Sequence, residues 1–351
     1  MMNWNLKILS IGGFSGLGDS NTCVQRDIIL QKLGNVDHVD TTAVSYNKKY
    51  RVYNKLFQWG IPISLPDLCG ANKQIIEKVR QNTYDLIWID KGIIIKENTF
   101  KMIKCYARNA KIVGYSPDYM CARHNQSKEF LASLKYYDTF VTTKSYSVEG
   151  LKKLGCKDVY FVGNSYQDGF HRPYKLTSEE QDLYGCDVGF IGAWEAERSR
   201  SIVYLAQNGI QVKIWGSKEW EKVCAKQHNL IFAGRELRDE SYCKAICGCK
   251  IALCFLRKMN LDLQTTRTVE IPACGCFMLA EKTIEHQAMF EEGKEAVFFE
   301  NDEDLLEKCR YYLQHDDERQ QIARAGYERC IKAGYSNDSR IKAIIEYVFS
   351  K

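Results

Sequence analysis

Two stretches of the chain share one order: a short apolar segment, a glycine-containing turn and then a helical pattern. The first is residues 6–11 with the turn at 12–18, and the second is residues 186–192 with the turn that follows. This order opens a doubly wound α/β fold, in which parallel strands buried on both faces alternate with helices. A chain of 351 residues is long enough for two such domains. The sequence therefore predicts two Rossmann-like, doubly wound domains.

The remaining strands are predicted from short apolar segments separated by helical patterns or polar turns. These are residues 84–90, 111–115, 138–143, 212–216, 230–234, 251–256, 276–280 and 296–299. A polar, helix-breaking segment at 175–185 predicts a linker. We therefore predict an N-terminal domain at 1–174, a C-terminal domain at 186–335 and an amphipathic helix within 336–351.

The composition limits the partners and the cellular setting. The formal net charge is +5, and without a polybasic run or a basic and aromatic platform nucleic acid is not an expected partner. This mild charge permits anionic substrates, or a loose peripheral contact with an acidic membrane surface, without requiring either. The apolar stretch at the start is too short for a signal peptide, and no window is apolar for long enough to span a bilayer. Fifteen cysteines without such a signal predict reduced thiols in a cytoplasmic protein.

Cys243, Cys247, Cys249 and Cys254 form a cluster in the sequence. They lack the paired Cys-x2-Cys spacing and the nearby histidines of a zinc site. Free cysteine is commonly a small buried hydrophobic residue. The sequence therefore predicts core cysteines here and no metal ligand.

The stretch at 262–275 carries the clearest candidate for ligand binding. It predicts a short helix that is closed by Gly275 and followed by an apolar strand. Arg267 and Glu270 are three residues apart, so they share one face near the start of this helix. A guanidinium suits phosphate oxygens and a carboxylate accepts two vicinal hydroxyls, which together fit the diphosphate and ribose of a nucleotide sugar. The alternative is an ordinary Arg/Glu pair on the surface of a helix.

Residues 267–275, the strand after them and the segment 281–294 resemble the donor half of a GT-B glycosyltransferase. The similarity is greatest to the spore-maturation-protein-like branch of the glycosyltransferase 1/4 group. It implies two Rossmann-like domains facing a central cleft, with the last helix returning to the N-terminal domain. In retaining members an E-x7-E motif holds the donor, and its second glutamate binds the ribose. Glu270 matches that glutamate, while Asp262 stands at the first position and departs from the motif.

The resemblance also assigns other donor-binding residues. The loop that begins at Gly192 closes over the diphosphate in this family, with Arg198 as the phosphate contact and Arg200 as the second choice; solvated arginines in a first helical turn are the alternative. Trp215 or Gly216 borders the base pocket, although a core tryptophan is the alternative for Trp215. The full set of donor candidates is Gly192, Trp194, Arg198, Gly216, Arg257, Asp262, Arg267 and Glu270. Lys258 adds a further positive charge beside Arg257.

The N-terminal half supplies the candidates for a general base. Asp118 and His124 follow the strand predicted at 111–115, and loops at the carboxyl ends of parallel strands carry chemistry in such folds. A turn aspartate and a surface histidine are the alternatives. Asp90, beside Lys91, is a third candidate or a simple ion pair.

The N-terminal glycine loop contains Gly12, Gly13 and Gly16. By resemblance it touches the acceptor or the donor phosphate. The alternative is a tight turn that only connects a strand to a helix.

These patterns predict an enzyme that transfers a sugar from a nucleotide-diphosphate donor to a hydroxyl of a glycan or small acceptor. The resemblance implies a retaining mechanism without a bound metal or other cofactor, the donor being a co-substrate. One alternative is a non-catalytic nucleotide-sugar-binding or coat-associated protein with the same fold. A dehydrogenase of the short-chain type is less favoured, because the glycine spacing at 12–18 alone is a weak signal.

Overall fold

The computed structural model describes residues 4–16, 18–42 and 48–351. Contacts between residues divide the chain into two units. Unit 1 comprises Met1–Gly163 and Asn337–Lys351, and unit 2 comprises Asn164–Ser336.

The first unit boundary differs from the one predicted at residue 174. Residues 164–174 belong to unit 2 because their backbone is bonded within it. The Tyr166 amide donates to the carbonyl oxygen of Tyr335 at 3.2 Å, and the Tyr174 amide donates to the sulfur of Cys247 at 3.4 Å.

Unit 1 is built on a parallel sheet flanked by helices. Its strands are β1 (Leu6–Gly12), β2 (Gly34–Asp40), β3 (Leu86–Asp90), β4 (Lys111–Ser116), β5 (Thr139–Thr142) and β6 (Val159–Phe161). Its first helices are α1 (Thr22–Leu33), α2 (Lys48–Gln58), α3 (Ala71–Gln81), α4 (Glu97–Tyr106), α5 (Lys128–Ser133) and α6 (Val148–Lys153). The strand order is β2-β1-β3-β4-β5-β6, and each neighbouring pair is parallel.

Unit 2 repeats this architecture. Its strands are β7 (Cys186–Gly192), β8 (Val212–Gly216), β9 (Leu230–Gly234), β10 (Cys249–Cys254), β11 (Met278–Glu281) and β12 (Val297–Phe299). Its helices are α7 (Ser178–Tyr184), α8 (Ala196–Gln207), α9 (Glu219–Cys224), α10 (Asp239–Cys247), α11 (Arg267–Ala273), α12 (Ile284–Met289), α13 (Asp302–Gln314) and α14 (Asp316–Lys332). The order is β12-β11-β10-β7-β8-β9, again with parallel neighbours. The prediction of two doubly wound α/β domains is confirmed.

The last helix, α15 (Asn337–Phe349), groups with unit 1. Ile341, Ile344, Ile345 and Val348 are buried in one cluster with side chains of β1, β3 and α1. This spacing places the four side chains on one helical face, so α15 covers one side of the sheet of unit 1. Within the described ranges, no helix combines the length and the hydropathy that a membrane span requires.

Candidate functional site

The carboxyl ends of the central strands of unit 2 gather most of the residues assigned to donor binding. Helix α8 follows β7, and α11 follows β10 after a loop. Doubly wound proteins bind ligands at this edge of the sheet, where the first amides of a helix such as α8 attract anions. A cavity of about 380 Å³ lies here, and Arg198, Lys258 and Glu281 are among its lining residues.

Arg198 is buried and anchored by backbone carbonyls. Nη1 donates to the carbonyl oxygen of Ala193 at 3.1 Å, and Nη2 donates to that of Leu256 at 3.0 Å. Nη2 also lies 3.4 Å from a carboxylate oxygen of Glu195, while the buried Nε has no hydrogen-bond partner within the described chain. Burial lowers the pKa of Arg198; Glu195 opposes this, and the positive charges of nearby arginines add to it. Arg198 is therefore not a solvated first-turn arginine, whereas Arg200 is exposed.

Two further cations at this edge are neutralised by carboxylates. Arg257 Nε donates to Glu195 at 2.8 Å, and the Lys258 ammonium donates to Glu281. The second oxygen of Glu281 accepts from the Leu256 amide at 2.7 Å. Arg257 is 45% exposed, so its guanidinium remains accessible to solvent. The cations at this edge thus have two acidic partners, Glu195 and Glu281, to which the sequence analysis assigned no role.

Arg267 occupies the first position of α11 and points back to the central strand. Its Nε donates to the carbonyl oxygen of Ile191 at 2.6 Å. Among the described residues, no carboxylate forms a salt bridge with Arg267, although its charge interacts with Glu270 and lowers the pKa of Arg198. Its side chain is therefore held at the end of β7 by a carbonyl group and keeps its terminal nitrogens for other acceptors.

Glu270 is 6% exposed, and its carboxylate is held by two side chains of unit 2. The Tyr242 hydroxyl donates to Oε2 at 2.5 Å, and Nε2 of His171 lies 3.6 Å from Oε1. Nδ1 of His171 accepts from the Gln167 amide at 2.9 Å, which places the proton of a neutral imidazole on Nε2. Burial raises the pKa of Tyr242 well above its ordinary value, and the negative charge of Glu270 raises it further. Glu270 is therefore oriented by groups from α10 and from the loop before α7.

The helix predicted across 262–275 is shorter than expected. Helix α11 begins only at Arg267, and Asp262 lies in the preceding loop, where its amide donates to the carbonyl oxygen of Arg257 at 3.2 Å. The Thr265 amide donates to the Thr268 hydroxyl at 3.0 Å. In a longer helix this amide would instead donate to a backbone carbonyl oxygen, so the side-chain bond competes with the helical one. Gly275 closes the helix with a φ of 71°, as predicted.

Gly192 and Gly216 allow the ends of β7 and β8 to approach closely. A side chain at Gly216 would place its Cβ 2.0 Å from the carbonyl oxygen of Gly192, which also accepts from the indole of Trp220 at 3.0 Å. The Trp194 amide donates to the Ser217 hydroxyl at 2.9 Å, and the Trp194 side chain is partly exposed. Trp215 is buried in the core, so the alternative of a core tryptophan holds.

Residues 198–346 match the model of a family described as glycosyl transferase-like. The structure of Anabaena HepE with UDP-glucose matches 99% of this chain and 100% of that one, at 12% identity and a TM-score of 0.66. The chain therefore has the GT-B fold of this glycosyltransferase structure, and less than half of it matches the family model. The family match begins at Arg198 and includes the whole of α11.

Two other solved structures share the fold of this chain. Sucrose-phosphate synthase from Thermosynechococcus elongatus matches 99% of both chains, at 11% identity and a TM-score of 0.66. An α-glucosyltransferase in complex with UDP and a 13-mer DNA matches 98% of this chain and 100% of that one, at 12% identity and a TM-score of 0.61. A search of curated protein sequences finds no match. Identities this low establish the fold alone.

In unit 1, the candidate bases form contacts with other side chains and with the backbone. Asp118 forms an ion pair with Lys91 at 2.6 Å, and its amide donates to the Ser116 hydroxyl at 3.2 Å. Asp90 is paired with the buried Arg26 at 2.7 Å rather than with its sequence neighbour Lys91. His124 lies in a single helical turn at Arg123–Asn125 and is partly buried.

The N-terminal glycine loop is organised by one side chain, that of Asn21. Its amide nitrogen donates to the carbonyl oxygens of Gly13 and Gly16 at 2.9 and 3.2 Å, and its oxygen accepts from the Cys23 amide at 3.0 Å. A Cβ at Gly12 would lie 2.4 Å from the sulfur of Cys23. The side-chain oxygen of Asn21 thus accepts from a backbone amide at the start of α1, where a phosphate could otherwise accept.

Sequence reasoning missed the residues that support the donor candidates. Glu195, Tyr242 and His171 were not singled out, because each acts on a residue that is distant in sequence or lies in a different element. One signal was present: Glu195 immediately precedes the helix that carries Arg198, where an acidic side chain is within reach of a cation one turn later.

Proposed function

We propose that the chain transfers a sugar from a nucleoside-diphosphate donor to a hydroxyl of a glycan or small acceptor, and that unit 2 holds the donor. The observation that carries this proposal is the grouping of Arg198, Arg257 and Arg267 near the start of α8, where burial, helped by the positive charges of Arg267 and Arg257, lowers the pKa of Arg198. Glu195 lies beside both Arg198 and Arg257 and offsets part of this repulsion, while no described carboxylate forms a salt bridge with Arg267, so a further anion would be stabilised here. A diphosphate supplies that anion.

The anchoring of these cations favours catalysis as well as binding. Arg198 and Arg267 are fixed by carbonyl oxygens of Leu256 and Ile191, so they need little reorganisation when the leaving diphosphate gains charge. Hydrogen-bond donors that already point at the position where charge develops stabilise a transition state more than flexible ones do. In this proposal the arginines and the amides of α8 take the place of a metal ion.

Glu270 is the proposed ribose ligand. Tyr242 and His171 hold its carboxylate in one orientation, and a carboxylate held in this way can accept two vicinal hydroxyls. Asp262 is buried in the loop before α11 and supports the loop that carries the donor contacts. We propose retention of the anomeric configuration on the strength of the spacing between Asp262 and Glu270.

Trp194, Gly192 and Gly216 complete the proposed donor site at the ends of β7 and β8. UDP is the first nucleotide to test, because the solved structures of HepE and of the α-glucosyltransferase contain it. In unit 1, Asp118 and His124 are the proposed acceptor-side groups, and the glycine loop that contains Gly13 and Gly16 is proposed to touch the acceptor or the donor phosphate.

A thermal-shift panel with UDP, GDP, ADP and CMP and their common sugars tests the donor class. A ligand at about 100 times its Kd stabilises a protein by about 2.7 kcal/mol, so the correct nucleotide raises the melting temperature visibly. Slow hydrolysis of the same sugar donor, measured in parallel, distinguishes an enzyme from a protein that only binds. Asp118→Asn should retain the shift and lose turnover; an Asp118→Asn variant with full turnover would remove Asp118 from the mechanism.

A further inference from the structure

One core cluster of unit 2 contains eight cysteines, and six of them lie away from the carboxyl ends of the strands. They are Cys186, Cys243, Cys247, Cys249, Cys274 and Cys276. The sulfurs of Cys186 and Cys249 are 3.5 Å apart on paired positions of β7 and β10. Cys249 begins β10, whereas the donor candidates lie beyond its other end. Cys247 and Cys276 therefore lie near the amino-terminal ends of β10 and β11, whereas the donor candidates follow the carboxyl ends of the strands.

Within the group, Cys247 and Cys276 are close neighbours at the ends of two helices. Cys247 is the last residue of α10, and Cys276 follows the glycine that closes α11. Their sulfurs lie 3.5 and 3.4 Å from the same acceptor, the carbonyl oxygen of Cys274. Both thiols therefore lie against one backbone carbonyl group, which makes Cys247 and Cys276 neighbours in the fold.

The surroundings of Cys247 favour its ionised form. The neighbouring thiols of Cys274 and Cys276 lower the pKa of Cys247 to about 4, against the opposing effect of burial and with help from the Tyr174 amide and the charge of Arg172. The amide of Tyr174 lies 3.4 Å from this sulfur. The carboxyl end of α10 opposes a negative charge here, but a helix end acts more weakly than several direct donors. The thiolate is the reactive form of cysteine.

A cavity gives small molecules access to this pair. It has a volume of about 250 Å³ and is lined by Cys247, Cys249 and Cys276 together with the polar side chains of Gln181 and Arg319. Cys247 is partly exposed, while Cys276 is buried behind it. Within the described chain, no group of three or more potential ligands is arranged to hold a metal ion, so the cavity does not indicate a metal centre.

We propose that Cys247 and Cys276 form a reactive dithiol that a hydroperoxide reaches through this cavity and oxidises to a disulfide. The Cys247 thiolate attacks one peroxide oxygen, the O–O bond breaks, and the leaving hydroxide takes a proton to become water. The resulting sulfenic acid is attacked by the Cys276 sulfur, so an S–S bond forms and the S–O bond breaks. The second hydroxide leaves as water with the proton of Cys276. Overall, two thiols and one hydrogen peroxide give one disulfide and two waters.

The test uses the full reduced chain and one equivalent of hydrogen peroxide, followed by alkylation and peptide mass spectrometry. The expected result is a Cys247–Cys276 cross-linked peptide, a loss of two titratable thiols per chain and recovery of both with dithiothreitol. Cys105 is exposed and serves as the matched control, so Cys105→Ser should form the same cross-link. Another pair as the first product, or oxidation of Cys105 before Cys247 in the unmodified chain, would overturn the proposal.

Two variants separate the roles of the sulfurs. Cys276→Ser should stop at a sulfenic acid on Cys247 that dimedone traps, whereas Cys247→Ser should form neither product. If Cys247→Ser fails to fold, the order of oxidation in the unmodified chain still decides the question. Equal rates of peroxide-dependent thiol loss in Cys247→Ser and in the unmodified chain would contradict the proposal.

Discussion

At the scale of single residues, the donor site depends on charged side chains that other protein groups hold in place. Arg198 and Arg267 are anchored by backbone carbonyl oxygens, and Glu270 is anchored by Tyr242 and His171. Charged groups that are fixed before a ligand binds lose little conformational entropy on binding. Substitutions in these anchors should therefore change ligand affinity even where the anchor itself does not touch the ligand.

Tyr242→Phe tests the anchor of Glu270. Loss of the hydroxyl removes one hydrogen bond, about 1 kcal/mol, and should weaken nucleotide binding about fivefold by calorimetry. Tyr311→Phe is the matched control, because the Tyr311 hydroxyl also binds a glutamate but lies on the exposed face of α13. Unchanged affinity in Tyr242→Phe would show that Tyr242 does not position Glu270 for the ligand.

His171 and His286 make stability depend on pH. Burial lowers the pKa of both below the ordinary value of 6.5, against the opposing charge of Glu270 at His171 and the Glu281 carbonyl at His286. The unfolded chain then binds protons more readily than the folded chain. Stability should be complete above pH 6.5 and should fall as the pH drops toward the folded-state pKa values, by up to about 1.4 kcal/mol per pH unit for each histidine.

Melting temperatures between pH 5 and pH 8 check this pH dependence. His171→Asn should flatten the decrease on the acidic side, while substitution of the exposed His228 by Asn should leave the curve unchanged. A curve for His171→Asn that is as steep as that of the unmodified chain would contradict the assignment.

The chemistry of individual residues was only partly predictable from sequence. The spacing of Arg267 and Glu270 indicated one helical face, and the position of Arg198 indicated a first helical turn. Their partners depend on contacts across the fold, such as the bond from Tyr242 to Glu270 and the pairing of Asp90 with Arg26. No local pattern encodes contacts of this kind.

At the scale of elements, α11 is a short helix whose end is fixed by backbone conformation. Gly275 has a φ of 71°, and a Cβ there would lie 3.0 Å from Cγ of Pro173. The end of α8 has a glycine in the same role, Gly209, with a φ of 87° and no atom within 4 Å of an added Cβ. The two positions share the left-handed conformation and differ in packing.

Gly275→Ala should therefore destabilise the chain more than Gly209→Ala. Each substitution has a conformational cost of about 1 kcal/mol, and the contact with Pro173 adds about 1 kcal/mol at Gly275 alone. Denaturant unfolding of both variants gives the difference. Equal losses would show that Pro173 moves aside without a free-energy cost.

Strand elements with continuous apolar runs were predicted well, and less regular elements were not. The segments at 84–90 and 212–216 contain β3 and β8, because buried parallel strands carry apolar residues on both faces. Strand β2 was missed: its sequence from Gly34 is mostly polar, and it lies at the edge of the sheet. The stretch at 262–266 was assigned to a helix, but side-chain hydrogen bonds compete with helical ones there.

At the scale of the whole molecule, the chain is two doubly wound units, and its last helix completes the core of the first. Ile344 of α15 is fully buried, whereas Ile331 of α14 is 52% exposed. The alternation of strands and helices predicted the two units. The boundary near residue 164 depends on hydrogen bonds from backbone amides to Tyr335 and Cys247, and the local amino-acid composition does not indicate such bonds.

Ile344→Ala should destabilise unit 1 by about 2–5 kcal/mol, because it removes buried methyl groups and leaves a cavity. Ile331→Ala, also in a helix, should cost less than about 0.5 kcal/mol. Denaturant midpoints followed by tryptophan fluorescence measure both. A small effect of Ile344→Ala would mean that α15 contributes little to the core of unit 1.

The central claim is that unit 2 presents a cationic site for the diphosphate of a nucleotide sugar. Titration calorimetry of the full chain with UDP, GDP, ADP and CMP tests it most directly, with Arg257→Ala as the site variant and the remote, exposed Arg324→Ala as the control. The account predicts one bound nucleoside diphosphate per chain, affinity about tenfold weaker in Arg257→Ala and unchanged affinity in Arg324→Ala. No binding of any of these nucleotides, or equal losses in the two variants, would contradict it.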